Sequence, residues 1–477
     1  MRILLLNPAS AYVLRVFRDI SLPEIPLSLA HIAAVLEGDG HKVEIIDLNV
    51  ISRLQEIVDQ LKGKNFDLIG FASTTPIINS CYNTIRIMKN VYPDATIVLG
   101  GWHASALPVR TLEECKDIDF IVKGEGEETI SELARALSTH EDLSTIKGII
   151  YRTKEGIIIE NEDRPLIKDL DALPFPSRHL LPLKKYKKIG FYTVGGYYKK
   201  DLGISSIFTS RGCANRCSFC ADHVIYKETC RFRSPENVLA EIKEMVHKYD
   251  IRIILILDAN FMLSPKRVRR ICELILKEKI KIIWACLARV DSVTAGLLRL
   301  MKKAGCIRIS YGVESGSPRM LKLMNKQVRI KQIKKAIALT KKVGINVYVF
   351  FVYGMPGETV EDMRCSRQLL MEVRPDFVTQ SVVIPYPGTD VYEEVVENNL
   401  LKEQNWDKFS FFFNNILNLP NAKEIFRYQK KIQRDFYFNI PYIWSRIKKI
   451  RSIYHVNFYL HGLKDFIIFF FLIGDKR

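Results

Sequence analysis

Short apolar runs alternate with stretches of helical spacing over the first 140 residues. RILLLN is a continuous apolar run that ends at the Asn7-Pro8 turn. Leu27 to Gly38 repeats its apolar residues at helical spacing and stops at glycine. KVEIIDLN, DLIGFAST, TIVLGG and FIVKGEGEE read as four further strands, with helices over about Ile51–Leu61 and Cys81–Val91. Strands alternating with helices predict an α/β, Rossmann-like, doubly wound parallel sheet. Ligands of such sheets bind beyond the carboxyl ends of the strands. The polar and glycine-rich segments fall there: Ser73-Thr74-Thr75, Gly100-Gly101-Trp102-His103 and Gly124-Glu125-Gly126-Glu127.

The pattern changes after residue 140. GIIYRTKEGIIIE predicts a β-hairpin turning at Lys154–Gly156, and the proline-rich DLDALPFPSRHLLP predicts a crossing linker. Strand–helix alternation then resumes from 204 to 390. The strands are SSIFTS, IIILILD, IIWACLA, RISYGVE, NVYVFFVYG and FVTQSVVIP, with helices such as Pro235–Tyr249 and Pro265–Lys277 between them. Six such units predict a (β/α)6 partial barrel or a full parallel barrel. The expected divisions are therefore residues 1–140, a hairpin and linker over 141–200, a barrel over 201–395, and a mostly helical region over 396–477.

Composition adds limits rather than a function. The 477 residues suffice for several domains, and 48% hydrophobic with 26% charged content describes a globular protein. The net charge of +18 suits acidic partners without choosing among them. Ten cysteines, only three of them clustered, fit a reducing cytoplasm better than a disulfide scaffold. The opening MRILLLNP is too short for a signal-peptide core, and no stretch approaches the ~20 apolar residues that span a bilayer.

The clustered cysteines lie in SRGCANRCSFCADH, directly after a predicted strand. Cys213, Cys217 and Cys220 have x3 and x2 spacing. Such a loop can wrap three thiolates around one [4Fe–4S] cubane and leave one iron open for a small chelating ligand. Zinc prefers four ligands in two separated pairs, with His223 as a conceivable fourth. The triplet, with Phe219 before the last cysteine, resembles the defining motif of the radical S-adenosylmethionine (SAM) superfamily. That resemblance implies that SAM chelates the open iron, is cleaved reductively, and yields a 5′-deoxyadenosyl radical that abstracts hydrogen from substrate. It also implies an electron donor such as flavodoxin or ferredoxin.

Later segments resemble that superfamily's binding loops. LDANF ends the second barrel strand with Asp258 and Asn260, LARVD the third with Arg289, and YGVESGS the fourth with Glu314. By that resemblance Glu314 contacts the SAM ribose, Lys326 pairs the methionyl carboxylate, and VYGMPGET lies near adenine. A carboxylate can accept both diol hydrogens and a cation can pair a carboxylate. Each residue also has a plainer reading: Glu314 as a helix cap, Lys326 as a solvated charge, and Arg289 as a partner of Asp291.

The order NP, IPLSLAHIAAVLEGDGHKVEIID, LGGWHAS, VKGEGEE and then RPLIKDLDALPFPSR resembles the cobalamin-binding domain that precedes many radical SAM cores. The class includes hopanoid methylases and the anaerobic cyclase of bacteriochlorophyll synthesis. By that resemblance Gly100, Gly101, Gly124 and Gly126 admit the nucleotide tail of cobalamin, and Ser73, Thr74 and Thr75 supply hydroxyls. Glu125 and His103 belong to the same candidate wall. The Asp-x-His-x-x-Gly signature of histidine-on-cobalt domains is missing, and His103 reads as a wall residue rather than a cobalt ligand.

The expected activity is methylation of an unactivated carbon in a small-molecule or lipid substrate. Cyclisation or rearrangement without methyl transfer is an alternative that product mass separates. A tRNA methylthiotransferase would carry more amino-terminal cysteines than Cys81 and Cys115, so nucleic acid is not the expected partner. A cobalamin or SAM sensor that only binds would make no 5′-deoxyadenosine. From Ile440 to Arg477 seven Lys or Arg face two acids, and Phe466–Ile473 is an unbroken apolar run. That tail predicts peripheral contact with the inner face of the membrane or, alternatively, a helix packed on the barrel.

Overall fold

The computed structural model describes residues 1–9, 25–50, 54–188, 202–402, 405–410, 416–450, 456 and 459–460. The apolar run of the tail, Phe466–Ile473, lies outside the described residues.

The first sheet has seven strands: β1 (Arg2–Asn7), β2 (Lys42–Asp47), β3 (Leu68–Ala72), β4 (Thr96–Gly100), β5 (Phe120–Val122), β6 (Ile149–Arg152) and β7 (Ile158–Glu160). Their order is β2-β1-β3-β4-β5-β6-β7. β1 to β5 pair in parallel, whereas β5-β6-β7 are antiparallel. Ile3 to Leu6 are at most 1% exposed, which explains their unbroken apolar run: helices cover both faces of the sheet. The hairpin is thus part of this sheet. Its pairing with β5 moves the edge of the first domain from residue 140 to Glu160.

The second sheet contains β8 (Gly203–Ile207), β11 (Ile251–Ile256), β12 (Ile283–Ala288), β13 (Cys306–Glu314), β14 (Asn346–Tyr353) and β15 (Phe377–Val382). All pairs are parallel and neighbours follow chain order, and among the described residues β8 and β15 are the edge strands and do not pair with each other. The barrel is therefore partial. β14 shows why the sheet has two faces: Val347, Val349, Phe351 and Tyr353 are buried in the helix-side core, and the residues between them are half-buried on the concave side. A short ladder, β9 (Ser210–Arg211) with β10 (Arg231–Phe232), sits at the carboxyl end of β8.

The linker locks the two sheets together. One apolar cluster runs from Ile3 and Leu5 through Leu181 and Tyr186 to Ile204, Ile253 and Ile307. Tyr186 donates to the buried Asp47 at 2.5 Å. Arg178, fully buried, donates to Glu241 at 2.6 Å and to the Ser206 carbonyl at 2.7 Å. After the barrel the chain returns to the first domain, where Trp406 and Phe409 join the cluster containing Ile97, Leu99 and Met324. Helices Ala422–Tyr437 and Ile440–Ile447 follow, in keeping with the helical expectation for this region. Among the described residues no helix is long and apolar enough to cross a membrane.

Candidate functional site

The cysteine loop leaves β9 through Gly212, whose φ of +80° only glycine adopts without strain. A Cβ there would stand 2.2 Å from the Thr229 carbonyl oxygen. The loop is held from both sides. Ser218 N–H donates to the Met324 carbonyl at 3.1 Å, and Val391 N–H donates to the Ser218 carbonyl at 3.1 Å. Asn325 Nδ2 donates to the Arg216 carbonyl at 2.6 Å. Cys213, Cys217 and Cys220 are free thiols. Burial pushes the Cys217 thiol up, an effect that Lys326 and Arg289 oppose, and burial pushes Cys220 up to about 12. Buried thiols of this kind ionise when a metal centre supplies the compensating charge. No group of three His, Cys, Asp or Glu side chains among the described residues is tight enough for one metal ion. Three free thiols on one eight-residue loop are the donor set that a [4Fe–4S] cubane with one open iron requires.

The bonds from Met324 and Asn325 place Lys326 beside this loop. Lys326 Nζ donates to Glu314 Oε1 at 2.8 Å, with both side chains 8% exposed. Burial pulls the ammonium down, but Glu314 and the Cys217 sulfur offset this and leave it above its ordinary value. Glu314 ends β13 at φ +64°, and a Cβ on Gly312 would meet Glu314 Oε1 at 2.3 Å and Lys326 Nζ at 2.8 Å. Gly312 therefore leaves room for the pair. Two buried polar atoms on segments bonded to this region lack partners: Ser218 Oγ on the cysteine loop and Asn260 Nδ2, whose Oδ1 accepts from Arg289 N–H at 3.2 Å. Unpaired donors and a buried exchangeable ion pair suit a zwitterionic ligand with a diol.

Three expected contacts are otherwise engaged. Asp258, 1% exposed, accepts from Thr209 N–H at 2.6 Å, from Ser210 Oγ at 2.6 Å and from the Thr209 hydroxyl. Its acceptor sites support the β8–β9 turn rather than a cofactor. Arg289 donates to Asp291 at 2.8 Å and to the Lys326 carbonyl at 2.8 Å, so it braces the lysine. Phe219 packs, half-buried, against the cluster shared with the first domain.

At the strand ends of the first domain, Thr74 is exposed, Ser73 and Thr75 are buried, and Gly100, Gly101 and Gly124 are half-buried. Gly101 takes φ +99°, and a Cβ on it would lie 2.5 Å from the Ser73 carbonyl oxygen. Gly124 (φ +80°) donates its N–H to Ser105 Oγ at 3.0 Å, and a Cβ on it would face open space. Gly126 instead packs on Ile32, 3.0 Å from a built Cβ. His103 is fully buried beneath Trp406, its ring 4.9 Å away edge-on, with Nδ1 3.1 Å from Thr75 Oγ1. Burial lowers its pKa to about 4. His103 is thus inside the domain, not on a ligand wall. His31 is likewise buried, against Phe208. Glycine-bordered strand ends with His103 held inside the domain fit a cobalamin that His103 does not ligate.

Glu125 also belongs elsewhere. Its carboxylate accepts from Arg211 at 2.8 Å, from Arg231 at 2.7 and 3.1 Å, and from Ile167 N–H at 2.9 Å. Glu127 accepts from the other arm of Arg211. Arg211 stands two residues before Cys213, so this buried clamp fastens the cysteine loop to the first domain. Trp406 has the same kind of role, donating to Glu114 at 3.0 Å while Arg110 lies 4.6 Å over its ring. Sequence reasoning missed Arg211, Arg231 and Trp406. The one available signal was the repeated acid of GEGEE, with basic residues flanking the cysteine loop. A groove of about 780 Å³ separates the two domains here, between Leu107–Arg110 and Arg216, His223 and Lys227.

Two family models match the chain: the B12 binding domain over residues 16–134 and the radical SAM superfamily over residues 207–370. An uncharacterized methyltransferase of Pyrococcus horikoshii is 33% identical over 411 residues, covering 86% of each chain. The anaerobic magnesium-protoporphyrin IX monomethyl ester cyclase of Rubrivivax gelatinosus is 29% identical over 395 residues, 81% of this chain and 68% of the cyclase. Among solved structures, the cobalamin-dependent SAM radical enzyme OxsB, with aqua-cobalamin and SAM bound, has the same fold. Its TM-score is 0.77 at 21% identity, over 99% of this chain and 72% of that one.

Proposed function

The chain belongs to the B12-binding radical SAM family, a cobalamin-dependent class of enzymes, and we propose that it methylates an unactivated carbon of a small-molecule or lipid substrate. The observation that carries this reading is the junction itself. A free-thiol loop fastened by Arg211 to the B12-binding domain sets the candidate radical source against the candidate methyl carrier. The likeness to a methyltransferase over 86% of both chains supports methyl transfer.

Cys213, Cys217 and Cys220 would hold the [4Fe–4S] cluster. When bound, the cofactors supply an electron, a 5′-deoxyadenosyl radical and a methyl group. Glu314 would accept the ribose diol, which frees Lys326 for the methionyl carboxylate; Asn260 Nδ2 would offer a further donor. Thr74, Gly100, Gly101 and Gly124 would border the cobalamin tail. Phe219, Trp406 and the apolar cluster they join would give the junction an apolar side, where a radical meets fewer competing groups. The reductant would be an external one-electron donor such as flavodoxin or ferredoxin.

The test uses anaerobically reconstituted enzyme and SAM carrying a trideuterated methyl group, offered lipid, tetrapyrrole and peptide fractions. Methylation adds one deuterated methyl to the product, and Cys217→Ala abolishes both the iron chromophore and the product. A product of unchanged carbon count would instead establish the rearrangement reading, which the cyclase likeness favours.

The helix Ile440–Ile447 supports a membrane-peripheral setting. Ile440 is 80% and Trp444 57% exposed, with Ile443 and Ile447 also outward beside Lys448. Apolar residues next to basic ones suit an anionic interface. Liposome co-sedimentation of the full chain against Ile440→Ser/Trp444→Ser tests this, and equal sedimentation removes it.

A further inference from the structure

Among the described residues Arg308 has no counter-ion. The register sets it beside Ala285 on β12 and Asn346 on β14. Ile309, Tyr311 and Val313 point into the helix-side core, so Arg308, Ser310 and Gly312 share the concave side. Gly312 borders the Glu314–Lys326 pair. Four residues of strand put Arg308 roughly 13 Å deeper toward the floor of the half-barrel. Its guanidinium lies 5.6 Å from the Tyr348 ring centroid, and its Nε is buried with no hydrogen-bond partner.

Among the described residues the buried arginines are occupied. Arg178 and Arg233 share Glu241, Arg211 holds Glu125 and Glu127, Arg267 donates to carbonyls, and Arg289 holds Asp291. Around Arg308 the concave face offers Tyr348 and Thr379, hydroxyls 2.5 Å apart, and the ring of Phe350 5.2 Å from that of Tyr348. Burial lowers the pKa of Arg308, and no carboxylate opposes it. Arg308 is half-buried with its Nε wholly out of solvent; a charge withdrawn from water without a partner is costly, and a guanidinium fork matches carboxylate and phosphoryl oxygens.

We propose that Arg308 anchors an anionic group of the substrate, a carboxylate or a phosphoryl, at the floor of the half-barrel, with Tyr348 and Phe350 flanking its carbon frame. The inference rests on the radical SAM reading, which puts the reacting carbon near the Glu314–Lys326 end of the same face. The substrate class is thereby narrowed to acids long enough to reach from floor to cofactor.

The test is calorimetric titration of reconstituted holoenzyme with SAM, using benzoate, phenyl phosphate and neutral benzamide as probes. Wild type is expected to bind at least one anion tenfold or more tighter than benzamide, and the tighter anion identifies the group. Arg308→Met should lose that preference. Arg308→Lys, which keeps charge without the fork, should bind the anion at least threefold more weakly than wild type and carries the test if the first variant does not fold. Equal binding of anions and benzamide, a preference surviving Arg308→Met, or unweakened binding by Arg308→Lys would each overturn the anchor. Release of 5′-deoxyadenosine by the wild-type preparation is measured alongside. Its absence with the charge preference intact would sink the radical SAM reading and leave the anion site standing.

Discussion

Replacing Arg211 by leucine strikes the joint between the cysteine loop and the first domain. Glu125 keeps Arg231 in that variant, at 2.7 and 3.1 Å. Glu127 loses its ion-pair partner while remaining 6% exposed. Burial works to raise the Glu127 pKa, and Arg211 overcomes this and holds it below the ordinary carboxylate value. Leaving one partner of a buried pair uncompensated costs about 3–5 kcal/mol. The sign with pH follows. A depressed carboxylate stabilises the fold above its unfolded pKa and loses that contribution as pH falls through its folded value. Without Arg211 the same carboxyl is raised, so the variant is penalised as pH climbs above about 4.5. The stability gap to wild type should therefore be about 3–5 kcal/mol at pH 8 and clearly smaller at pH 5. Urea unfolding of the reduced protein measures it. Trp102 serves as a local probe because its ring lies 6.3 Å from Tyr226 across the same joint. The double variant Arg211→Leu/Glu127→Leu should recover to within about 1 kcal/mol of wild type, since apolar replacement of a whole buried pair is close to neutral. A gap that does not change with pH, or a double variant no better than the single, would refute the clamp.

Gly312→Ala should fold and bind iron normally, because its Cβ meets only the far ends of two flexible side chains, yet weaken SAM binding tenfold or more by equilibrium dialysis. Burial raises Glu358 to about 8, so its folded form keeps a proton that the unfolded chain releases above about 4.5. Stability from this site is full below that pH and falls toward pH 8; Glu358→Gln should gain on wild type by about 3–5 kcal/mol over that window in calorimetric scans. Trp406→Ala removes the cover of His103 together with the bonds to Glu114, and should cost about 3–5 kcal/mol in urea titrations at pH 7.5.

Much of the fold was legible because local periodicity reports local structure. The helices Leu27–Gly38, Pro235–Tyr249 and Pro265–Lys277 have the predicted bounds, since caps, proline starts and apolar spacing all lie within the segments themselves. The hairpin was visible, but not its attachment to β5, because a strand's partner is not written in its own residues. The site divides the same way. Three cysteines within eight residues identify themselves. Asp258 and Glu125 looked like ligand contacts by position and proved to be engaged by Ser210 and Arg211.

Local order along the chain determined the strand–helix alternation, the cysteine loop and the glycine turns, since backbone preference and ligand spacing act between near neighbours. Tertiary structure alone decided which charges are occupied and which are free. Trp406 reaches Glu114 across 292 residues and Arg211 reaches Glu125 across 86, while Arg308 meets no acid among the described residues. A buried charge depends on whatever the folded chain brings within a few ångströms of it, and that neighbourhood exists only once both sheets and the linker have closed around it.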